Sequence, residues 1–277
     1  MTYALIVALG LLVQTKPDPD QFPLALQKSM ELDDLDREIQ RVHDTAALNR
    51  AQLAASERLA KRGLVSKSDL ERQAADLQYQ EAREAELHAS KAFKTYERDV
   101  KGRTTTPDER RAYTLLLDWV RKQVAIAQVD ADYQAAQAKR TRALFSRTAV
   151  SRQELDDAEL AANTAQATVD LGKSRESQIV MEIAARTGEK RSDPATAHRL
   201  KSDYLKARIR YFAITAEAAR RRLDLGRERS RLGLVPSNDV AIFERASADA
   251  AAALAKERSV LERHEAERNA PPRKRSA

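Results

Sequence analysis

Three segments of the chain align without a gap: RGLVSKSDLERQAA (62–75), RTAVSRQELDDAEL (147–160) and LGLVPSNDVAIFER (232–245). Val65, Val150 and Val235 stand 85 positions apart, as do Gly63, Thr148 and Gly233, and Leu70, Leu155 and Val240. A fixed period of this kind constrains the fold to copies of one supersecondary unit, each too thin to bury its apolar face alone. In every copy a long heptad-like stretch leads into a short (G/T)-(L/A)-V-(S/P) break, and a second stretch leads out. Gly or Thr stands where a helix ends, and Ser66, Ser151 or Ser237 stands where the next helix needs an N-cap. Glu154 follows Ser151 at capping-box spacing, and Asp69 is a rougher match after Ser66. The unit is a helix–turn–helix hairpin.

The placement of proline supports this reading. Of 8 Pro, none falls within 28–106, 108–193, 195–235 or 237–270, and proline inside a helix costs about 3 kcal/mol. Pro107 in TTTPDE and Pro194 in SDPATA sit where Thr, Ser or Asp would cap new helices. Only 5% of the residues are aromatic and 33% are charged, which argues against an ordinary globular core. The apolar content is mostly Ala and Leu among strong helix formers.

The seams follow alternating three- and four-residue steps. Before the first break run Leu32, Leu35, Ile39, Val42, Ala46 and Leu53, with Asn49 at one seam position. After the second run Leu155, Ala158, Ala162, Ala165, Val169, Ile179 and Ile183. Before the third run Leu200, Tyr204, Ala207, Tyr211, Ile214, Ala218, Leu225 and Leu232, interrupted by Arg221 and Glu228. The expected fold is therefore all-α: three tandem antiparallel coiled-coil helical hairpins of about 85 residues each, elongated, with all breaks at one end. Ala-rich seams bury little at about 25 cal/mol per Å², so the hairpins are expected to pack on one another or to be completed by a partner, including a homo-oligomer.

The domain boundaries follow. Residues 1–27 form a leader or signal/anchor-like segment and linker, 28–103 hairpin 1, 104–190 hairpin 2, 191–268 hairpin 3, and 269–277 a disordered basic tail. The apolar run YALIVALGLLV (3–13) is too short to span a membrane, which takes about 17–25 residues, but matches a signal-peptide core in length. Export or membrane attachment through this segment is the expectation.

The net charge of +7 is unevenly spread. The fifteen residues around each break (55–69, 140–154 and 225–239) carry +2, +3 and +1, and the tail RKR carries +3. Each tip is thus basic, suited to an acidic protein rim or anionic headgroups, although cations also favour helix C-terminal ends without any ligand.

Catalytic signatures are missing. The chain has no Cys, its four His (His43, His88, His198, His264) are scattered, and no Gly-rich phosphate loop or zinc motif occurs. Asp33, Asp34 and Asp36 fit a solvated helix face, and the single Trp119 fits packing between helices. The expectation is a protein that is not an enzyme and has no catalytic residue, cofactor or metal. Nucleic acid ranks lowest among partners, because aromatics are not interleaved with the basic residues.

The segments ERLAKRGLVSKSDLERQ and RALFSRTAVSRQELDDAE resemble the hairpin tip of periplasmic adaptor (membrane fusion) proteins, which serve tripartite efflux pumps and type I secretion systems. The tip pattern of that family is Arg, Leu four residues on, and Ser seven further on. The second tip matches with Arg140, Leu144 and Ser151. The first keeps Leu59 and Ser66 but has Ala55 in place of Arg, and the third has Leu225, Arg229 and Pro236. Adaptors also carry lipoyl-like and β-barrel domains, for which no strand pattern is found here, and usually one hairpin per chain. The resemblance implies a detached or expanded hairpin module in the periplasm or cell envelope, inner-membrane anchored if 3–13 is an anchor. Its partner would be an outer-membrane channel or transporter, and its partner-binding residues Arg140, Leu144, Ser151, Leu59, Ser66 and Arg229. The alternative is a cytoplasmic coiled-coil scaffold or oligomerisation protein without a transport role.

Overall fold

The computed structural model describes residues 32–187 and 193–269. All regular structure among them is helical: α1 (Leu32–Ala60), α2 (Lys67–Lys101), α3 (Glu109–Phe145), α4 (Arg152–Thr187), α5 (Pro194–Arg231) and α6 (Ser237–Asn269). The expectations for the leader segment 1–27, including 3–13, and for nearly all of the tail fall outside the described residues; Asn269 closes α6. No helix among the described residues is long and apolar enough to cross a membrane.

Helix ends fall where capping chemistry places them. Asp108 caps α3 by accepting from the Arg111 N–H at 3.1 Å. Asp193 caps α5 by accepting from the N–H groups of Ala195 and Thr196 at 3.2 Å each. Pro194 is the first residue of α5, where its missing N–H costs nothing. Ser66 and Ser151 precede α2 and α4 as expected, whereas Ser237 lies one residue inside α6. There the Pro236 carbonyl accepts the N–H of Asp239 at 3.1 Å.

The described residues form two compact units, 32–207 and 208–269, divided within α5. In the first, α1 runs antiparallel to α2. Leu35, Val42 and Leu87 form its buried core, with Leu32 and Ile39 packed against it. Outside that seam Asp36 pairs with Lys91, His43 Nδ1 lies 2.9 Å from Glu84, and Arg50 pairs with Glu81 at 2.7 Å. The α3–α4 pair is also antiparallel, with Leu117, Val120, Val124 and Ile179 at its centre and Tyr113, Leu116 and Ile183 beside them. Arg121–Glu176 at 2.8 Å and Arg142–Glu159 at 2.7 Å flank this seam. Such exposed ion pairs contribute about 0–1 kcal/mol each; burying the leucines and isoleucines, at about 1.5–3 kcal/mol apiece, does most of the stabilising.

Helices α2 and α3 join the two pairs laterally. Trp119 stacks on Phe93, ring centroids 5.7 Å apart, as its expected packing role requires. Its indole N–H donates to buried Glu86 at 2.5 Å, and Arg83 donates to the same carboxylate at 2.9 Å. Near the α2–α3 connection Tyr96 donates its hydroxyl to the Asp108 carbonyl and accepts from the Asp108 N–H, both at 2.7 Å.

In the second unit the end of α5 and α6 run antiparallel. Arg208 and Glu257 form an ion pair at 2.6 Å with side chains only 8% and 4% exposed. Arg227 pairs with Glu244 at 2.8 Å. Gly226 lets Phe243 approach so closely that a Cβ would stand 2.6 Å from its ring. The seam expectation for Leu232 is not met. It is 67% exposed, because α5 ends at Arg231 and the chain turns before a further heptad position forms.

Candidate functional site

The three breaks share one backbone geometry. Gly63, Thr148 and Gly233 have φ of 74, 56 and 71°, the left-handed conformation that ends helices. At each break the N–H of that residue bonds the carbonyl three positions back, and the next N–H bonds the carbonyl five back. The pairs are Gly63→Ala60 and Leu64→Leu59, Thr148→Phe145 and Ala149→Leu144, and Gly233→Ser230 and Leu234→Arg229, all between 2.9 and 3.1 Å. These bonds satisfy carbonyls that a helix C-terminus leaves open.

The caps that follow differ in detail. The Ser66 hydroxyl accepts from the Asp69 N–H at 3.0 Å and donates to the Asp69 carboxylate at 2.7 Å. At the second break the capping box is complete. Ser151 Oγ accepts from the Glu154 N–H at 3.2 Å, while the Glu154 carboxylate accepts from the Ser151 N–H at 2.7 Å and from its hydroxyl at 2.9 Å. Those bonds, the backbone one foremost, hold the Glu154 carboxyl below the usual carboxylate range. Ser66 and Ser151 therefore shape the turns.

Arg140 is engaged within the protein. Its guanidinium donates to Ser68 Oγ at 2.7 Å and pairs with Glu71, both in the first turns of α2. This link lies between α3, just before the second break, and α2, just after the first, so both breaks lie at the same end of the unit 32–207. Glu71 could not have been picked as its partner from heptad spacing, because the bond runs across the lateral packing and outside both seams.

Leucines and cations remain outward at that end. Leu59 and Leu144 are exposed, and Leu64 is 70% exposed. Leu64 follows the left-handed Gly63 between two helices, a position that the seam pattern does not cover and that a reading of the break alone could have singled out. Lys61, Arg62 and Arg147 are exposed and form no ion pair among the described residues. Of the nearby acids, Asp69 is engaged by Ser66 and Arg72, Glu159 by Arg142 and Asp156 by Arg152, whereas Glu57, one turn before Lys61, is exposed and forms no ion pair among the described residues. Arg152 also stacks over Phe145, 5.8 Å from its ring centroid. In the other unit Arg229 is exposed in the last turn of α5, and its carbonyl closes the third turn. Among the described residues no group of three or more His, Asp or Glu is placed to hold a metal ion.

What these ends can do chemically is bind by shape and charge: apolar knobs on fixed turns, surrounded by cations without local partners. No family model, no curated protein and no solved structure matches the chain.

Proposed function

We propose that the chain is a non-enzymatic protein of the cell envelope, built as three tandem antiparallel coiled-coil hairpins of about 85 residues. It docks through basic, leucine-bearing tips onto a partner such as an outer-membrane channel. One observation carries this reading: at the paired turns of unit 32–207, Leu59, Leu64 and Leu144 are exposed beside Lys61, Arg62 and Arg147, which form no ion pair among the described residues. Exposed leucines on rigid turns are candidate anchors, and surrounding cations steer an acidic surface towards them. The resemblance of the tips to those of periplasmic adaptor proteins supplies the partner class. Within this reading Arg140 holds two tips in one face, Ser66 and Ser151 fix the turns, and Leu59, Leu64 and Leu144 make the contact.

The test is site-specific photo-crosslinking in cells from positions 62 and 147, with exposed position 125 on α3 as a control. Crosslinks to one envelope protein from both tip positions and not from 125, abolished by Leu64→Asp with Leu144→Asp, are the expected result. Equal crosslinking from tip and shaft, or fractionation of the protein with the cytoplasm, would favour the scaffold reading and overturn this one.

A further inference from the structure

The third turn differs from the other two in chemistry, and the difference falls within the unit 208–269. Leu232 and Leu234 flank the left-handed Gly233 and are 67% and 70% exposed, and Ile242, early in α6, is also exposed. Immediately before them runs RRRLDLGRERSR (220–231), six arginines against Asp224 and Glu228. All six are exposed. Arg221 pairs with Glu217 and Arg227 with Glu244, whereas Arg220, Arg222, Arg229 and Arg231 form no ion pair among the described residues.

Helical geometry says what such a belt can meet. At about 100° per residue, Arg220, Arg227 and Arg231 share one side of the helix and Arg222 and Arg229 the opposite side, with Arg221 between them, while the remaining arc holds buried Leu223 and Gly226. A protein partner lying along one side would engage a fraction of them; an extended anionic plane met end-on would reach Arg229 and Arg231 on opposite flanks together. The apolar contribution is small: three aliphatic side chains offer roughly 100 Å² each by the usual conversion of area to transfer free energy. A small apolar crown backed by a basic belt is sufficient for reversible attachment to a lipid interface, where apolar insertion and attraction to anionic headgroups add. Arg227, Arg229 and Arg231 lie within about 6 Å of axial rise of the turn, close to the depth of a headgroup layer.

We infer that the α5–α6 turn is a contact surface for an anionic bilayer. Leu232 and Leu234 enter the interfacial layer, with Arg229 and Arg231 on the headgroup phosphates and the arginines further back held in the diffuse field. This surface belongs to a different unit from the tips to which docking was assigned, so either reading stands or falls alone.

The experiment uses the full chain in co-sedimentation with two kinds of vesicle, phosphatidylcholine alone and phosphatidylcholine mixed three to one with phosphatidylglycerol. Binding is expected only to the anionic vesicles. Leu232→Ser and Leu234→Ser should each weaken it about tenfold, and Arg229→Ala and Arg231→Ala about fivefold each. Leu64→Ser, at the first turn, should leave it unchanged. All of these side chains are exposed, and circular dichroism checks that each variant keeps its helix content. Because the chain has no Cys, Leu234→Cys carrying an environment-sensitive fluorophore gives a second readout, a blue shift on anionic vesicles. Four outcomes would each overturn the inference: equal binding to both vesicles, no binding to either, a Leu232→Ser/Leu234→Ser variant that binds as the parent does, or arginine variants that lose binding while leucine variants keep it. The last would mark a site for a soluble polyanion such as nucleic acid.

Discussion

Replacing Gly63 by Ala isolates the backbone cost of the turn. Gly63 has φ 74°, and a Cβ built on it meets nothing within 4 Å. Steric clash with the surroundings therefore contributes nothing, and only the intrinsic penalty of an L-residue in the left-handed region remains, about 1–2 kcal/mol. Alanine recovers about 0.4–1 kcal/mol by restricting the unfolded chain, so the net loss is about 1 kcal/mol. Gly233, at φ 71° and with an equally open Cβ site, should lose the same amount in the other unit. Thr148 reverses the sign. It holds φ 56° with a β-branched side chain, and its hydroxyl makes only an exposed 2.7 Å bond to the Arg147 carbonyl. Thr148→Gly should thus stabilise by about 1 kcal/mol, glycine's freedom when unfolded offsetting part of a larger conformational gain. Urea unfolding followed by circular dichroism at the helix band, with the slope checked for constancy, gives the three values. Opposite signs for Gly63→Ala and Thr148→Gly are the requirement. If Gly63→Ala were neutral, or Thr148→Gly destabilising, the shared left-handed turn would not be what ends these helices.

The other perturbations test packing and charge. Gly226→Ala should destabilise the unit 208–269 by about 1–3 kcal/mol through overpacking against Phe243, although the same change at an exposed helical site gains about 1 kcal/mol; a rise in melting temperature would contradict the close approach. Glu257→Ala, which takes the carboxylate from buried Arg208, should cost on the order of 3–5 kcal/mol, while Arg208→Met with Glu257→Leu should be near neutral or stabilising, both read from chemical denaturation. Arg140→Ala should leave global stability within about 1 kcal/mol, as befits a partly exposed ion pair, yet broaden the distance distribution between spin labels at 62 and 147. Glu154 and Asp193 both have carboxyl groups held below the ordinary range, chiefly by backbone N–H bonds from Ser151 and Ala195 respectively. Their contribution is present above the unfolded value of about 4 and is lost as pH falls through the depressed folded values. Melting temperature should drop on acidification, less steeply in Glu154→Gln, and an unchanged slope would show that the cap is not formed.

The helices were legible in the sequence because each end is written locally. Gly63, Thr148 and Gly233 stop helices by backbone conformation, Asp108 and Asp193 start them by side-chain acceptance, and prolines stay out of the spans between. The seam of Leu35, Val42 and Ala46, and that of Leu155, Ala165, Val169 and Ile179, are buried as their spacing requires. Residues acting across the lateral packing were not legible. Glu86, Arg208 and Glu257 are charged, so a hydrophobic period passes over them, yet all three are buried: Arg83 and the Trp119 indole bond Glu86, and Arg208 pairs with Glu257 across the α5–α6 seam, where Glu257 Oε2 has no hydrogen-bond partner among the described residues. Arg140 illustrates the same limit at the candidate site. The tip resemblance singled it out for a partner, but its position relative to Glu71 depends on how α2 lies against α3, which no single-helix pattern encodes. Leu64 and Leu234 were passed over for the opposite reason, since they lie between helices, where no seam exists to count from.

The short reach of the cross-helix bonds bears on how fast the protein acquires its structure. The side-chain bonds between helices described here join residues 12 to 72 positions apart in one unit and 17 to 49 in the other, and each turn closes on hydrogen bonds spanning three to five residues. Little loop entropy is lost before contacts reward it, and chains dominated by such local contacts fold in about microseconds to milliseconds. A hairpin can thus close as soon as its own two arms are free, without waiting for distant sequence.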